Sequence, residues 1–116
     1  SELDITASRT TRNLIVTVEQ LVDWNRVRRL PHLNVITRFS TKAIVEVPYG
    51  AHPMAHLQVH NLDRDFLGMY AEVSRDPDGF KSFLNKYVLG VKSHMEYLEL
   101  IGIEKLMQLR YVGGNL

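Results

Sequence analysis

The run Tyr49-Gly50-Ala51-His52-Pro53 sets a phenol, a glycine, an imidazole and a proline side by side, too irregular a sequence for a helix or strand. His52 is the one titratable imidazole of the five, and it can donate a hydrogen bond to a carboxylate or carbonyl of a bound molecule. Gly50 would allow a backbone conformation that other residues resist, leaving an N–H directed at an oxygen. The same five residues also fit a plain strand-to-helix turn, with His52 bonded to backbone. Glu19 is a second candidate, because it closes the apolar run LIVTV and ligands of open α/β sheets bind beyond the carboxyl ends of strands. A surface or salt-bridged glutamate is the alternative there. His52, His56 and His60 recur every fourth residue with Asp63 beyond, which on a continuous helix would face three imidazoles toward one metal ion. Gly50 and Pro53 argue against that helix, so no metal is expected.

Other chemistries are poorly supplied. The absence of Cys excludes disulfides, thiolate metal ligands and a cysteine nucleophile. No Walker loop, Gly-x-Ser-x-Gly elbow or dinucleotide-binding glycine fingerprint is present. Arg26, Arg28 and Arg29 form a small basic cluster that suits a phosphate or simply a solvated face. With 14 Lys+Arg against 13 Asp+Glu, no overall field draws the chain to nucleic acid or to an anionic membrane. Apolar stretches are short and broken by charge, and Ser1-Glu2-Leu3-Asp4 lacks the features of a signal peptide, so a soluble, cytoplasmic protein is expected.

The elements that must position these residues fall into two groups. Residues 13–22 (NLIVTVEQLV) carry a β-branched run, the pattern of a parallel strand buried on both faces. Asp23 is a possible N-cap for a short helical turn that Pro31 ends. Two further extended runs follow at residues 35–37 and 43–47, the second firmer and stopped by Pro48. Helical signals then take over. Asp63 can cap a helix with Phe66, Tyr70 and Val73 on one stripe, running out near Arg75. Asp76-Pro77 restarts the pattern with Phe80, Phe83, Leu84, Tyr87 and Val88 as its apolar face, and Gly90 stops it. Helical spacing makes these aromatic residues core rather than a base-stacking platform. Ser93 with Glu96 forms a capping box opening a third helix, ended or kinked at Gly102, and residues 103–109 extend it before a Gly113-Gly114 tail that should fray.

At 116 residues and 45% hydrophobic composition, the chain is expected to form a single domain over residues 1–116. Strands in the first half and helices in the second predict an α/β fold, yet the strands are too few to complete a sheet covered on both sides. Missing strands must lie upstream or come from another chain. A start without Met that leads quickly into a strand-like run fits a segment of a longer subunit.

The segment VEVPYGAHP, residues 45–53, resembles the strand-to-loop signature of A (alpha) subunits of family I coenzyme A transferases, the glutaconate and 3-oxoacid type. NLIVTVEQLV is similar to the family's preceding strand with its Glu. Residues 63–102, with an acidic residue after the loop and an Arg-Asp-Pro break, are similar to its C-terminal helices. The resemblance implies the C-terminal part of an open three-layer α/β/α fold. It implies an oligomer formed with a B-type subunit, and coenzyme A as substrate, with no covalently bound cofactor. It implies ping-pong transfer of CoA from an acyl thioester to a carboxylate acceptor, through an acyl-glutamyl anhydride and a glutamyl-CoA. A carboxylate suits this role because its anhydride is reactive enough for capture by CoA thiolate, provided N–H donors hold the developing charge. In that family the attacking glutamate belongs to the B-type subunit, so the resemblance implies no catalytic residue in this segment. Tyr49, Gly50, Ala51 and His52, with Glu19, become candidates for the acyl-CoA site or the subunit interface. Relatives of the same fold that hydrolyse CoA-linked substrates, including ring-opening hydrolases, share these features, and a non-catalytic assembly module is a further reading.

Overall fold

Glu2 and Asp4 near one end and Arg9 near the other match the dipole of a helix, and the computed structural model, which describes residues 2–111, places α1 at Glu2–Thr10. The strand-like opening expected from the sequence is therefore a helix followed by a strand. β1 spans Leu14–Val18 and β2 spans Thr41–Glu46, paired in parallel with Val16 opposite Ile44 and Val18 opposite Glu46. The register slips between Leu14 and Ile15, where Lys42 is passed over in β2.

Between the strands, Asp23 accepts from Asn25 N–H (2.8 Å) and caps α2, Trp24–Arg28. Pro31 then occupies the first position of a 3₁₀ turn, Pro31–Leu33, where its missing N–H is no loss. The run at residues 35–37 forms no strand. The carbonyl of Thr37 instead collects the N–H and Oγ of Ser40 (3.3 and 3.1 Å) and Oγ1 of Thr41 (2.9 Å). Side-chain hydroxyls that bond backbone locally compete with a sheet ladder, and here they close a turn.

Neither strand is buried on both faces. β1 alternates between half-buried and exposed positions, and Ile15, Ile44 and Val45 are 63%, 55% and 45% exposed. A parallel pair rich in Val and Ile ordinarily carries cover on both sides, and two strands leave such a sheet uncovered. These elements make up an N-terminal unit ending at Gly50; a second unit begins at Ala51.

The second unit is helical: α3 at Arg64–Val73, α4 at Pro77–Leu84, a π turn at Asn85–Leu89, α5 at His94–Ile101 and α6 at Ile103–Leu109. Helices α3, α4 and α5 each have the cap the sequence predicts. Asp63 accepts from Phe66 N–H (3.0 Å), Asp76 from Gly79 N–H (3.0 Å) and Ser93 Oγ from Glu96 N–H (3.2 Å). The reciprocal bond of the capping box is shifted by one residue, since Glu96 accepts from Lys92 N–H (2.7 Å). Gly102, at φ 93°, ends α5 in a conformation that residues with a Cβ rarely adopt, and α6 starts immediately after it. The apolar face around it packs as Leu98, Leu106 and Leu109, all buried. Phe66, Phe83 and Tyr87 meet edge-on or tilted at 4.9–5.8 Å between ring centres, and Tyr70 joins Phe83 at 5.0 Å. Phe80 lies outside this cluster, 37% exposed, contrary to its place on the predicted stripe. The expected fraying of Gly113-Gly114 lies outside the described residues. Among the described residues no helix is long and apolar enough to cross a membrane.

Candidate functional site

The chain leaves β1 and β2 at the same edge of the sheet, so the residues after each strand fall together there. Glu19 follows β1 directly, and its Oε2 accepts from the backbone N–H of Tyr49 at 2.8 Å. Glu46 ends β2, and its Oε2 accepts from Leu21 N–H at 2.8 Å. Each strand thus ends in a carboxylate that reaches the loop beyond the other strand. Val47 N–H adds a bond to Val18 O (2.7 Å), carrying the ladder one step past β2.

Tyr49 takes up the left-handed backbone, at φ 55°, that the sequence suggested for Gly50. The N–H of Gly50 donates to Val47 O (2.9 Å), closing a turn, so it is not the donor expected to point at a ligand. Glycine is needed at position 50 for space: a Cβ there would stand 2.8 Å from Val47 O. Ala51 O accepts from Met54 N–H (2.8 Å), and the His52-Pro53 peptide is cis.

His52 belongs to the helical unit. Its side chain is fully buried, with Nε2 2.9 Å from Asp63 Oδ2 and Nδ1 2.6 Å from the Tyr97 hydroxyl. In a neutral imidazole, an ionised Asp63 places the proton on Nε2, which leaves Nδ1 to accept from the phenol O–H. Phe66 and Tyr97 stand edge-on against the imidazole at 5.0 and 5.7 Å between ring centres. Burial opposes the charge on Asp63, but bonds from His52 and Phe66 N–H, with Lys105 nearby, hold its carboxyl below the usual value. Lys105 Nζ lies 3.5 Å from Asp63 Oδ1 and 2.5 Å from Asp65 Oδ2. Burial first, then the Asp63 charge and Tyr87, push the Tyr97 phenol up to about 12, so it remains a donor at neutral pH. Asp63 N–H also donates to Pro53 O (3.0 Å), tying the loop backbone to the start of α3.

Glu19 and Tyr49 are therefore brought together directly in the first unit, while His52 is engaged within the second by Asp63 and Tyr97. Sequence reasoning identified Asp63 as a cap but missed its bond to His52, and did not single out Tyr97 or Lys105. No local spacing links these positions. Glu46 was also missed, although each apolar strand run carries a glutamate at or next to its end, a signal present in the sequence. His56 and His60 face each other across a tight antiparallel bridge rather than along a helix. No group of three potential metal ligands is disposed to hold a metal ion among the described residues. An open depression of about 480 Å³ beside the π turn, lined by residues including Lys86, Glu96 and Glu99, holds none of the candidates.

No family model matches the chain. Over 111 residues it is 33% identical to the A-type subunit of glutaconate CoA-transferase from Acidaminococcus fermentans, covering 96% of this chain and 35% of that protein. It is 32% identical over 105 residues to an uncharacterized protein of Archaeoglobus fulgidus, covering 90% of this chain and 24% of that protein. It is 26% identical over 91 residues to the A-type subunit of 3-oxoadipate CoA-transferase from Pseudomonas knackmussii, covering 78% of this chain and 32% of that one. The crystal structure of the Acidaminococcus glutaconate CoA-transferase superposes with a TM-score of 0.90 at 33% identity, over 96% of this chain and 35% of that one. The chain thus spans about a third or less of the length of these relatives. At these identities and this structural agreement, the chain is homologous to the A subunits of family I CoA transferases and matches a C-terminal part of one of them.

Proposed function

We propose that the chain is the C-terminal segment of a CoA-transferase A subunit that moves CoA between an acyl thioester and a carboxylate acceptor, working with a B-type partner that carries the attacking glutamate. The observation behind this reading is the 33% identity and 0.90 TM-score with glutaconate CoA-transferase over 96% of the chain. In the reaction, the partner's glutamate would attack the thioester carbonyl and expel CoA thiolate; the thiolate would then attack the glutamyl carbonyl of the anhydride and release the first acyl group as its carboxylate. The acceptor carboxylate would run the same two steps in reverse on the glutamyl-CoA thioester, leaving as acyl-CoA and freeing the glutamate. The loop at Tyr49, Gly50, Ala51 and His52 would shape the acyl-CoA site or the subunit interface from beyond the strand ends, with Glu19 bonded to its first residue. The uncovered Ile15, Ile44 and Val45 support completion of the sheet by the rest of the subunit.

The test is acyl-CoA exchange by the intact subunit mixed with its partner, together with CoA binding by calorimetry. Exchange to a carboxylate acceptor is the expected result. Release of CoA to water without an acceptor would instead identify a hydrolase relative, and assembly with neither turnover nor CoA binding would leave an assembly module.

A further inference from the structure

We infer that Glu19 is a positioning residue, one half of a crossed clasp in which the carboxylates of Glu19 and Glu46 fix the loops leaving the two parallel strands. The inference rests on the proposed function for the importance of that loop, and on geometry alone for the clasp. Val18 and Glu46 are register partners, so the two carboxylates start from the same edge of the sheet. Oε2 of Glu19 accepts from Tyr49 N–H, beyond β2, and Oε2 of Glu46 accepts from Leu21 N–H, beyond β1, both at 2.8 Å. A carboxylate oxygen accepting a backbone N–H makes a charge-assisted bond, stronger than a neutral pair.

The backbone that Glu19 holds is unlike its surroundings. Tyr49 sits at φ 55°, a conformation in which the Cβ of an L-residue crowds its own carbonyl, so it needs support from neighbouring groups. Three supports converge on this loop: the Val47–Val18 ladder bond, the Gly50–Val47 turn and the Glu19 carboxylate. The last of these joins the loop to a side chain at the other strand's exit. A carboxylate in this position acts on substrate through Tyr49, not by charge or proton transfer of its own.

The distinction predicts opposite results for two substitutions in the intact protein assembled with its partner. Glu19→Gln keeps a carbonyl oxygen able to accept from Tyr49 N–H while removing the charge. Glu19→Leu keeps the bulk and removes the acceptor. A positioning role gives a loss in kcat of about tenfold or more for Glu19→Leu, with little change in KM, and Glu19→Gln restores kcat to within about twofold of the wild type. Amide exchange at Tyr49 should stay slow in the wild type and in Glu19→Gln and speed up in Glu19→Leu.

Equal loss of kcat in both variants would mean that the charge itself is needed, and would overturn the inference. So would a Glu19→Leu protein with unaltered exchange at Tyr49. Should Glu19→Leu fail to assemble, Glu46→Gln and Glu46→Leu decide the clasp from the other side: Leu21 exchange must quicken in Glu46→Leu alone, and unchanged exchange there overturns it. A wild type with no acyl-CoA turnover would sink the proposed function, while the exchange rates at Tyr49 and Leu21 would still decide the clasp.

Discussion

The two units solve the same problem, fixing a loop, with carboxylates in opposite surroundings. In the N-terminal unit, Glu19 and Glu46 bond backbone N–H groups at the rim of a sheet whose apolar residues remain exposed. In the C-terminal unit, Asp63 is buried, and its oxygens serve His52 and the first turn of α3, with Lys105 alongside. A buried carboxylate cannot fall back on water when a partner is lost, whereas the half-buried Glu19 and the exposed Glu46 can. The first arrangement should therefore fail locally and the second cooperatively.

The largest effect is expected at the buried end of the comparison. Asp63→Ala removes the partner of His52 and the cap of α3 together, and should lower the unfolding free energy by about 3–5 kcal/mol in urea denaturation. A loss below about 1 kcal/mol would erase the contrast between the units. The same group sets a dependence on pH. Its carboxyl is held below the ordinary 3.8, so the stability it contributes is fully present above that value and is lost as pH falls through the lower folded value. The gap in stability between wild type and Asp63→Asn should accordingly narrow as the pH is taken below 3.8.

Tyr97→Phe retains the ring against the imidazole and deletes only the hydroxyl hydrogen-bonded to Nδ1, for an expected loss of about 1–2 kcal/mol by the same measurement. Glu46→Ala should leave the unfolding midpoint unchanged while quickening exchange at Leu21 N–H, and a shifted midpoint would show the rim to be as cooperative as the interior. Lys105→Met is expected to have the smallest effect, one that fades in high salt because the lysine also reaches the exposed Asp65.

Much of this contrast was legible in the sequence, for reasons that differ by element. Caps are local, so Asp23, Asp63, Asp76 and Ser93 could each be read from a few adjoining residues. The strand at residues 43–47 announced itself by β-branching and by Pro48, and the family resemblance reached the loop directly. Four features were out of reach or misread. α1 lacks a strong apolar stripe, and its charges speak only once a helix is supposed. The run at residues 35–37 is as β-prone as a strand, but Ser40 and Thr41 draw its last carbonyl into a turn. The His52–Asp63–Tyr97 contact joins residues far apart in the chain, a pairing that a single sequence does not encode in any spacing. The aromatic stripe was right in kind but too generous, since Phe80 stands apart from the ring cluster that joins Phe66, Tyr70, Phe83 and Tyr87.

The parallel pairing of β1 with β2 also carries a consequence in time. A parallel ladder closes only after the whole intervening segment has been drawn in, whereas α3, α4 and α5 are started by caps that need just their own first turns. The N-terminal unit is synthesised first, yet its sheet should be the later to gain protection. Chain order and order of maturation then run in opposite directions. Pulse-labelled exchange during refolding should find amides of α4 and α5 shielded before those of Val16 and Ile44.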